Sequence, residues 1–197
     1  MHPIFTVSNI NKSLGLKKLA RAASVMMFVG MTTACATSSG PAGPAAFNEG
    51  IFVDTMANLD LAMENSGNLQ FEQGDDYDRF GGDTDRVLRK YNDAETITYL
   101  FDNDIKTVIV DSFFWRNEME LGVEDFSIEV SSDGENYMPL DLAIDEDENI
   151  YDHWQQVTYT GTTEEAGNKY LRITFPISLN DTNGWAPQLG NLTVSSL

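Results

Sequence analysis

Apolar and polar residues alternate with a period of two over most of the chain after residue 50. In "DFSIEVSS", Phe126, Ile128 and Val130 fall on one side of an extended backbone, and Ser127, Glu129 and Ser131 fall on the other. "KYLRITFP" repeats the pattern, with Leu171, Ile173 and Phe175 set against Tyr170, Arg172 and Thr174. Successive side chains of a strand point to opposite faces, so each stretch predicts a strand with one buried and one wet face. Similar runs occur at Ile51 to Asp54, Asn68 to Phe71, Val87 to Tyr91, Thr96 to Phe101, Thr107 to Trp115, Tyr137 to Ile144, Trp154 to Tyr159 and Gln188 to Ser195. Clusters of Gly, Asn and Asp separate them, which predicts an all-β fold, an antiparallel β-sandwich. Only "TMANLDLAMENS", with Met56, Leu59 and Met63 at helical spacing, predicts a short helix.

One interruption of the alternation is acidic. In "SSDGENY" the Asp133–Gly134 pair supplies the backbone freedom that a tight turn needs, and apolar runs resume on either side. Asp133 and Glu135 are therefore expected to be solvated corner residues of a hairpin rather than metal or sugar ligands. Gly134 is expected to matter for folding.

The first 34 residues read as an export leader. Lys12, Lys17, Lys18 and Arg21 form a basic front, Ala22 to Ala34 form an apolar run, and no acidic residue interrupts either. That run is too short to span a bilayer. The "MTTAC" that ends it resembles the lipobox of bacterial lipoproteins, although Thr32 stands where that family usually has Leu. The resemblance implies cleavage before Cys35 and acylation of its thiol, with enough acyl chains for stable anchoring. An ordinary leader peptidase would instead read Ala34-Cys35-Ala36 as its small-residue site and leave a secreted or periplasmic protein. Ala36 after the cysteine favours the outer membrane by the usual sorting pattern. Residues 35–46, ending "ATSSGPAGPAA", form a small-residue linker with a coil reach of roughly 20 Å, and residues 47–197 form the domain.

Cys35 is the only cysteine, so the chain has no intrachain disulfide. Without the leader's four basic residues, 8 basic residues face 31 acidic ones, a net charge of −23. Phosphate contacts need clustered Lys and Arg, so this balance argues against nucleic acid and anionic membrane surfaces, and it favours a monomer through self-repulsion. Membrane contact is expected only through the anchor.

Three segments taken in order resemble the galactose-binding-like β-sandwiches, the group that includes discoidin and coagulation-factor type C domains and many carbohydrate-binding modules. "DFSIEVSSDGENYMPL" is similar to their strand, Ser-x-Asp-Gly turn and aromatic; "FGGDTDRVLRK" before "ETITYLF" is similar to their early Gly-Asp segment; and "NKYLRITFP" before "NGWAPQLGNLTV" is similar to their last two strands. The likeness spans most of residues 50–197 and extends to the "GDT-x-R" and "FFW" patterns of accessory domains on bacterial glycoside hydrolases. It implies an eight-stranded jelly roll that binds ligands in loops at one end. It also implies a structural calcium, with Asp83 and Asn191 as side-chain ligands and Asp78 or Asp85 nearby. Many relatives have Glu where Asn191 stands, so a charge is missing from that set.

Sugar rings present apolar C–H patches ringed by hydroxyls, so their recognition calls for aromatic faces beside hydrogen-bonding groups. Trp115 ends "SFFWRNE", where Arg116, Asn117 and Glu118 are within reach of hydroxyls; Trp185 sits in "NDTNGWAPQ" beside Asn183; Trp154 follows His153 at a strand start. Aromatic residues at strand ends also plug the ends of sandwiches. His153 is the only histidine outside the leader, no G-x-S-x-G surrounds a serine, and the many carboxylates, such as "DEDEN" at 145–149, are what any acidic surface carries. The expectation is a non-catalytic, carbohydrate-binding envelope lipoprotein with a polysaccharide or glycan ligand. The chain ends just after its last strand, so any carbohydrate-active enzyme it serves would be a separate protein. The rival expectation is a protein-interaction or envelope-assembly module of the same fold, and a glycan-active enzyme comes third.

Overall fold

The computed structural model describes residues 43–74, 79–116, 125–177 and 186–196. These contain twelve strands: β1 (Ile51–Asp54), β2 (Glu64–Asn65), β3 (Leu69–Gln73), β4 (Asp85–Arg89), β5 (Thr96–Leu100), β6 (Ile105–Trp115), β7 (Ser127–Ser131), β8 (Met138–Pro139), β9 (Leu142–Glu146), β10 (Trp154–Thr162), β11 (Tyr170–Thr174) and β12 (Gln188–Ser196). They form two antiparallel sheets. One has seven strands in the order β3-β4-β12-β6-β10-β9, with β1 also paired to β12; the other has five in the order β2-β5-β11-β7-β8. The fold is the all-β sandwich that the alternation predicts, with more strands than the eight implied by the resemblance.

The core lies between the sheets and is built from the residues that alternate. Phe126, Ile128 and Val130 meet Leu171, Ile173 and Phe175 on one sheet, and Val108, Val110, Val157, Tyr159, Leu192 and Val194 face them from the other. Registers such as Ile128↔Ile173 and Val110↔Tyr159 keep each buried row in line, because a slip of one residue would turn every apolar side chain to water. The linker contributes as well. Ala45 forms a parallel bridge to Phe101 and is buried, so the chain joins the sandwich two residues before Phe47.

Two local expectations are corrected. The segment Thr55 to Ser66 is not helical: Met56 sits at φ 58° with its side chain in the core, the Asn58 carboxamide oxygen accepts the Asp60 N–H at 2.9 Å, and Glu64–Asn65 becomes β2. Tertiary burial of Met56 and a local side-chain turn override the helical spacing. The run Tyr137 to Ile144 is two strands, not one. β8 pairs with β7 in the five-stranded sheet, while β9 pairs with β10 in the seven-stranded sheet, and the chain crosses between them at Asp141.

Asp54 ends β1 facing inward and is 4% exposed. Its Oδ1 accepts the Met56 N–H at 2.9 Å and its Oδ2 accepts the Tyr99 hydroxyl at 3.0 Å. Burial nevertheless raises its pKa, outweighing both bonds. A carboxyl group whose folded pKa is raised stabilises the fold fully only below its unfolded pKa, and that contribution is lost as pH rises through the folded value. Asp54→Asn keeps an acceptor for Met56 and offers Tyr99 a donor in place of the charge. The variant should melt above the unsubstituted protein at pH 7, with the difference closing towards pH 4; a lower melting point at pH 7 would contradict this account.

Candidate functional site

The two ends of the sandwich differ. At one end lie the β5–β6 connection, Ala45, Asn168 and the chain near Ser196, tied together by Phe101 N–H to Lys169 O at 2.9 Å, Ile105 N–H to Asn168 O at 2.8 Å and Ser196 N–H to Gly50 O at 2.9 Å. At the other end β6 finishes at Trp115 opposite Trp154, the first residue of β10. The candidate site is at this second end.

Within β6, Phe114 turns into the main core while Phe113 and Trp115 turn to the outer face of the seven-stranded sheet. An outward Phe would ordinarily be wet, yet Phe113 is 1% exposed. Phe80 covers it edge-on at 5.1 Å between ring centroids and lies against Trp154, also at 5.1 Å, which makes a second, smaller aromatic core outside the sheet. Trp154 is thus a plug. Trp115 stands at the rim of this core, half-buried, with Trp154 meeting its ring edge-on at 5.4 Å and His153 against it at 4.9 Å.

The segment that carries Phe80 is held by a buried polar relay. The Arg86 guanidinium lies 3.6 Å from the centre of the Phe80 ring, its Nε donates to Gln188 Oε1 at 2.9 Å, and its Nη1 donates to the Asp83 carbonyl at 2.8 Å. Gln188 in turn donates through Nε2 to Glu72 Oε2 at 2.8 Å. These bonds let a cation and an amide be buried at this position.

Arg116 follows Trp115, where its Nε donates to Gln155 Oε1 at 2.8 Å and its guanidinium lies 5.0 Å from the centre of the Phe114 ring. Asp152 and His153 form the two-residue turn between Tyr151 and Trp154, which exchange 2.8 and 2.9 Å backbone hydrogen bonds. Both turn residues have positive φ, 49° and 73°, the geometry of a tight hairpin turn usually filled by Asn-Gly. Asp152 also pairs with Arg79. Two side-chain-bearing residues in this region mark a local backbone cost of the kind found at binding sites.

Of the residues singled out for sugar recognition, the fold thus brings together Trp115 and Arg116, with Trp154 and His153 beside them. Asn117, Glu118, Asn183 and Trp185 lie outside the described residues, as do Cys35 and Asp78. Phe80 and Phe113 escaped sequence reasoning, although "FFW" breaks the period of two and so signals that both faces of β6 are covered there.

The positions implied for calcium do converge. Asp83 and Asn191, 108 residues apart in sequence, meet at 3.3 Å between Asn191 Nδ2 and Asp83 Oδ2. A bulge in β12 at Gly190 turns Asn191 outward, and a Cβ on Gly190 would collide with the Asp83 carboxylate and the Phe113 ring. Asp83 is nearly buried, and desolvation raises its pKa, opposed by the Asp85 N–H and by the charge of Arg86. Its neighbours are mainly donors: Asp85 N–H reaches Oδ1 at 3.1 Å, and its own carbonyl is taken by Arg86. The Asp85 carboxylate points away, accepting from Gln73 Nε2 at 3.0 Å and from the Thr84 hydroxyl at 3.0 Å. Among the described residues no three His, Cys, Asp or Glu side chains converge as metal ligands do. As arranged, Asp83 and Asn191 face each other as acceptor and donor, with the charge of Asp111 also close enough to raise the Asp83 pKa.

The acidic turn at 131–138 belongs to the opposite end. Asp133 Oδ1 accepts from the Ser131 hydroxyl at 2.9 Å and from the Glu135 and Asn136 N–H groups at 2.8 Å each, while Oδ2 accepts from Asn136 Nδ2 at 2.8 Å. Those bonds hold its pKa well below the usual carboxylate range. Its lone pairs are spent on closing the corner. A further groove of about 480 Å³, lined by residues 145–149 with Gln156 and Thr158, runs along the β9 edge and adjoins the aromatic site at Gln156, which pairs with Phe113.

No family model matches this sequence, and no curated protein does either. Among solved structures the chain is similar to the K1 cleaved adhesin domain of Lys-gingipain (Kgp) from Porphyromonas gingivalis W83, at a TM-score of 0.43 and 11% identity over 75% of this chain and 98% of that one.

Proposed function

We propose that this protein is a non-catalytic carbohydrate-binding lipoprotein of the bacterial envelope, which takes its ligand on the Trp115 end of the sandwich. The observation that carries the reading is Trp115 itself, a half-buried indole at a strand end, braced by Trp154 and His153 and followed by a cation. A braced aromatic face loses little side-chain entropy when a sugar ring stacks on it, and Arg116 supplies donors for hydroxyls. The His153 ring lies on the indole, and its carbonyl accepts the Arg116 N–H, which fixes the turn beside Trp115.

The topology also suits an anchored binder. The chain enters the sandwich through Ala45, at the end opposite Trp115. An anchor at Cys35 would then hold the binding end away from the membrane, separated from it by the length of β6, about 35 Å for its 11 residues.

A glycan array probed with residues 36–197 tests this reading, with Trp115→Ala run alongside. Retention on at least one polysaccharide and its loss in the variant are expected. No retention by protein shown to be folded would sink the reading. In the same preparation a melt with and without chelator tests calcium: a melting point raised by calcium in the unsubstituted protein but not in Asp83→Asn supports an ion at Asp83, and an unchanged one removes the ion.

A second reading, the protein-interaction module, draws on the outer face of the seven-stranded sheet. There Val53, Thr193, Ile109, Thr160 and Ala143 stand side by side across five strands, an uncharged row on an acidic chain, with Val53 and Ile109 exposed. Glycan retention that survives Ile109→Lys but not Trp115→Ala separates the two.

A further inference from the structure

The groove beside β9 and the Trp115 rim stand on one face of one sheet. Trp154 pairs with Trp115 and Gln156 pairs with Phe113, and residues opposite each other in an antiparallel pair share a face. Thr158 follows Gln156 on that face, and both line the groove. Measured along β10 from Trp154, Gln156 lies about 7 Å away and Thr158 about 14 Å. The groove itself measures about 480 Å³, a size at which small-molecule ligands are commonly held.

Two contacts tie the groove to the rim. Gln155 accepts from Arg116 Nε at 2.8 Å through its Oε1 and donates through Nε2 to the Asp147 carbonyl, also at 2.8 Å. One carboxamide thus holds both the cation after Trp115 and the loop that walls the groove. On the other side, a Cβ on Gly81 would collide with Gln156 Oε1, so the backbone next to Phe80 lies against the near end of the groove. The Gln156 carbonyl is taken by the Asp147 N–H at 2.9 Å, which leaves its half-buried carboxamide as the polar group it offers to the groove. The Thr158 hydroxyl spends its proton on Asp111 Oδ1 at 2.7 Å and keeps its lone pairs for a donor.

We infer that the groove continues the Trp115 seat, so that the ligand is a chain of several sugar units without acidic groups, one ring on Trp115 and later rings over Gln156 and Thr158. This rests on the carbohydrate reading above and names the ligand class within it. A single ring on Trp115 is too short to reach Thr158, so an occupant of both must be a chain. The amide and the hydroxyl supply the donors and acceptors that sugar hydroxyls need. Charge then sets the class, because Asp145, Glu146, Asp147 and Glu148 line the same groove and repel a ligand of their own sign. The acidic run acts here as a filter, and the contacts are made by Gln156 and Thr158.

The test titrates the full chain with fragments of one and six units cut from whichever polysaccharide the array retains most strongly, and adds polygalacturonate as an acidic probe. Affinity should rise several-fold from one unit to six, and polygalacturonate should not be retained. Gln156→Ala and Thr158→Val should each reduce that rise and leave the single-unit affinity unchanged, whereas Trp115→Ala should weaken both fragments. Two substitutions are used so that one still reports if the other fails to fold. Equal affinities for the two fragments, or a rise that survives either substitution in folded protein, overturn the inference and leave Trp115 as the seat. Retention of polygalacturonate overturns it as well. If the array retains no glycan on folded protein, the carbohydrate reading and this inference fall together.

Discussion

Replacing Gly134 with valine is expected to destabilise the domain by about 3 kcal/mol and to leave ligand retention intact in whatever fraction stays folded. Two costs coincide at this position. Gly134 has φ +75°, a region that β-branched residues essentially avoid, and a Cβ there would come within 2.9 Å of the Tyr170 ring. Tyr170 opens β11, paired to both Leu100 and Ser131, and its ring would have to turn aside to admit the new side chain. For a domain of this size, about 3 kcal/mol corresponds to a melting point lower by roughly 6–12 °C. A valine variant that melts normally but has lost its ligand would move the binding site to the acidic turn.

The two described tryptophans should separate stability from binding. Trp154→Ala removes a side chain that is 5% exposed, and on which Phe80 and Trp115 both lean, so a loss of about 3–5 kcal/mol is expected. Phe80 would lose its seat along with it. Trp115→Ala, at the half-buried rim, should cost about 1 kcal/mol in the melt yet abolish retention on glycan. Equal destabilisation by the two substitutions would mean that Trp115 is a second plug, and the ligand end would then lack its stacking face.

The same contrast explains what could be read from the sequence. The inward rows of β7 and β11 were legible because each strand has a single core face, and a period of two then determines burial residue by residue. Tyr137 to Ile144 was misleading because periodicity says nothing about which sheet a strand joins: Pro139 and Leu140 are still held to β7, and the chain changes sheet only at Asp141. Met56 misled for a different reason: its spacing fits a helix, but its side chain is drawn into the core from a left-handed backbone. At the candidate site, "FFW" pointed to Trp115 and Arg116, and the meeting of Asp83 with Asn191 followed the order of motifs along the chain. The relay from Glu72 through Gln188 to Arg86 joins residues up to 116 apart. It depends on the registers of β3, β4 and β12, which no local pattern encodes.

The measurement closest to the central claim is the affinity of the strongest array glycan for the unsubstituted protein and for Trp115→Ala, titrated by calorimetry under identical conditions. Stacking on a braced indole that anchors the ligand should be worth about 2 kcal/mol or more, so the variant should bind at least roughly thirtyfold more weakly while its melt stays close to that of the unsubstituted protein. Equal affinities in two folded proteins would contradict the account.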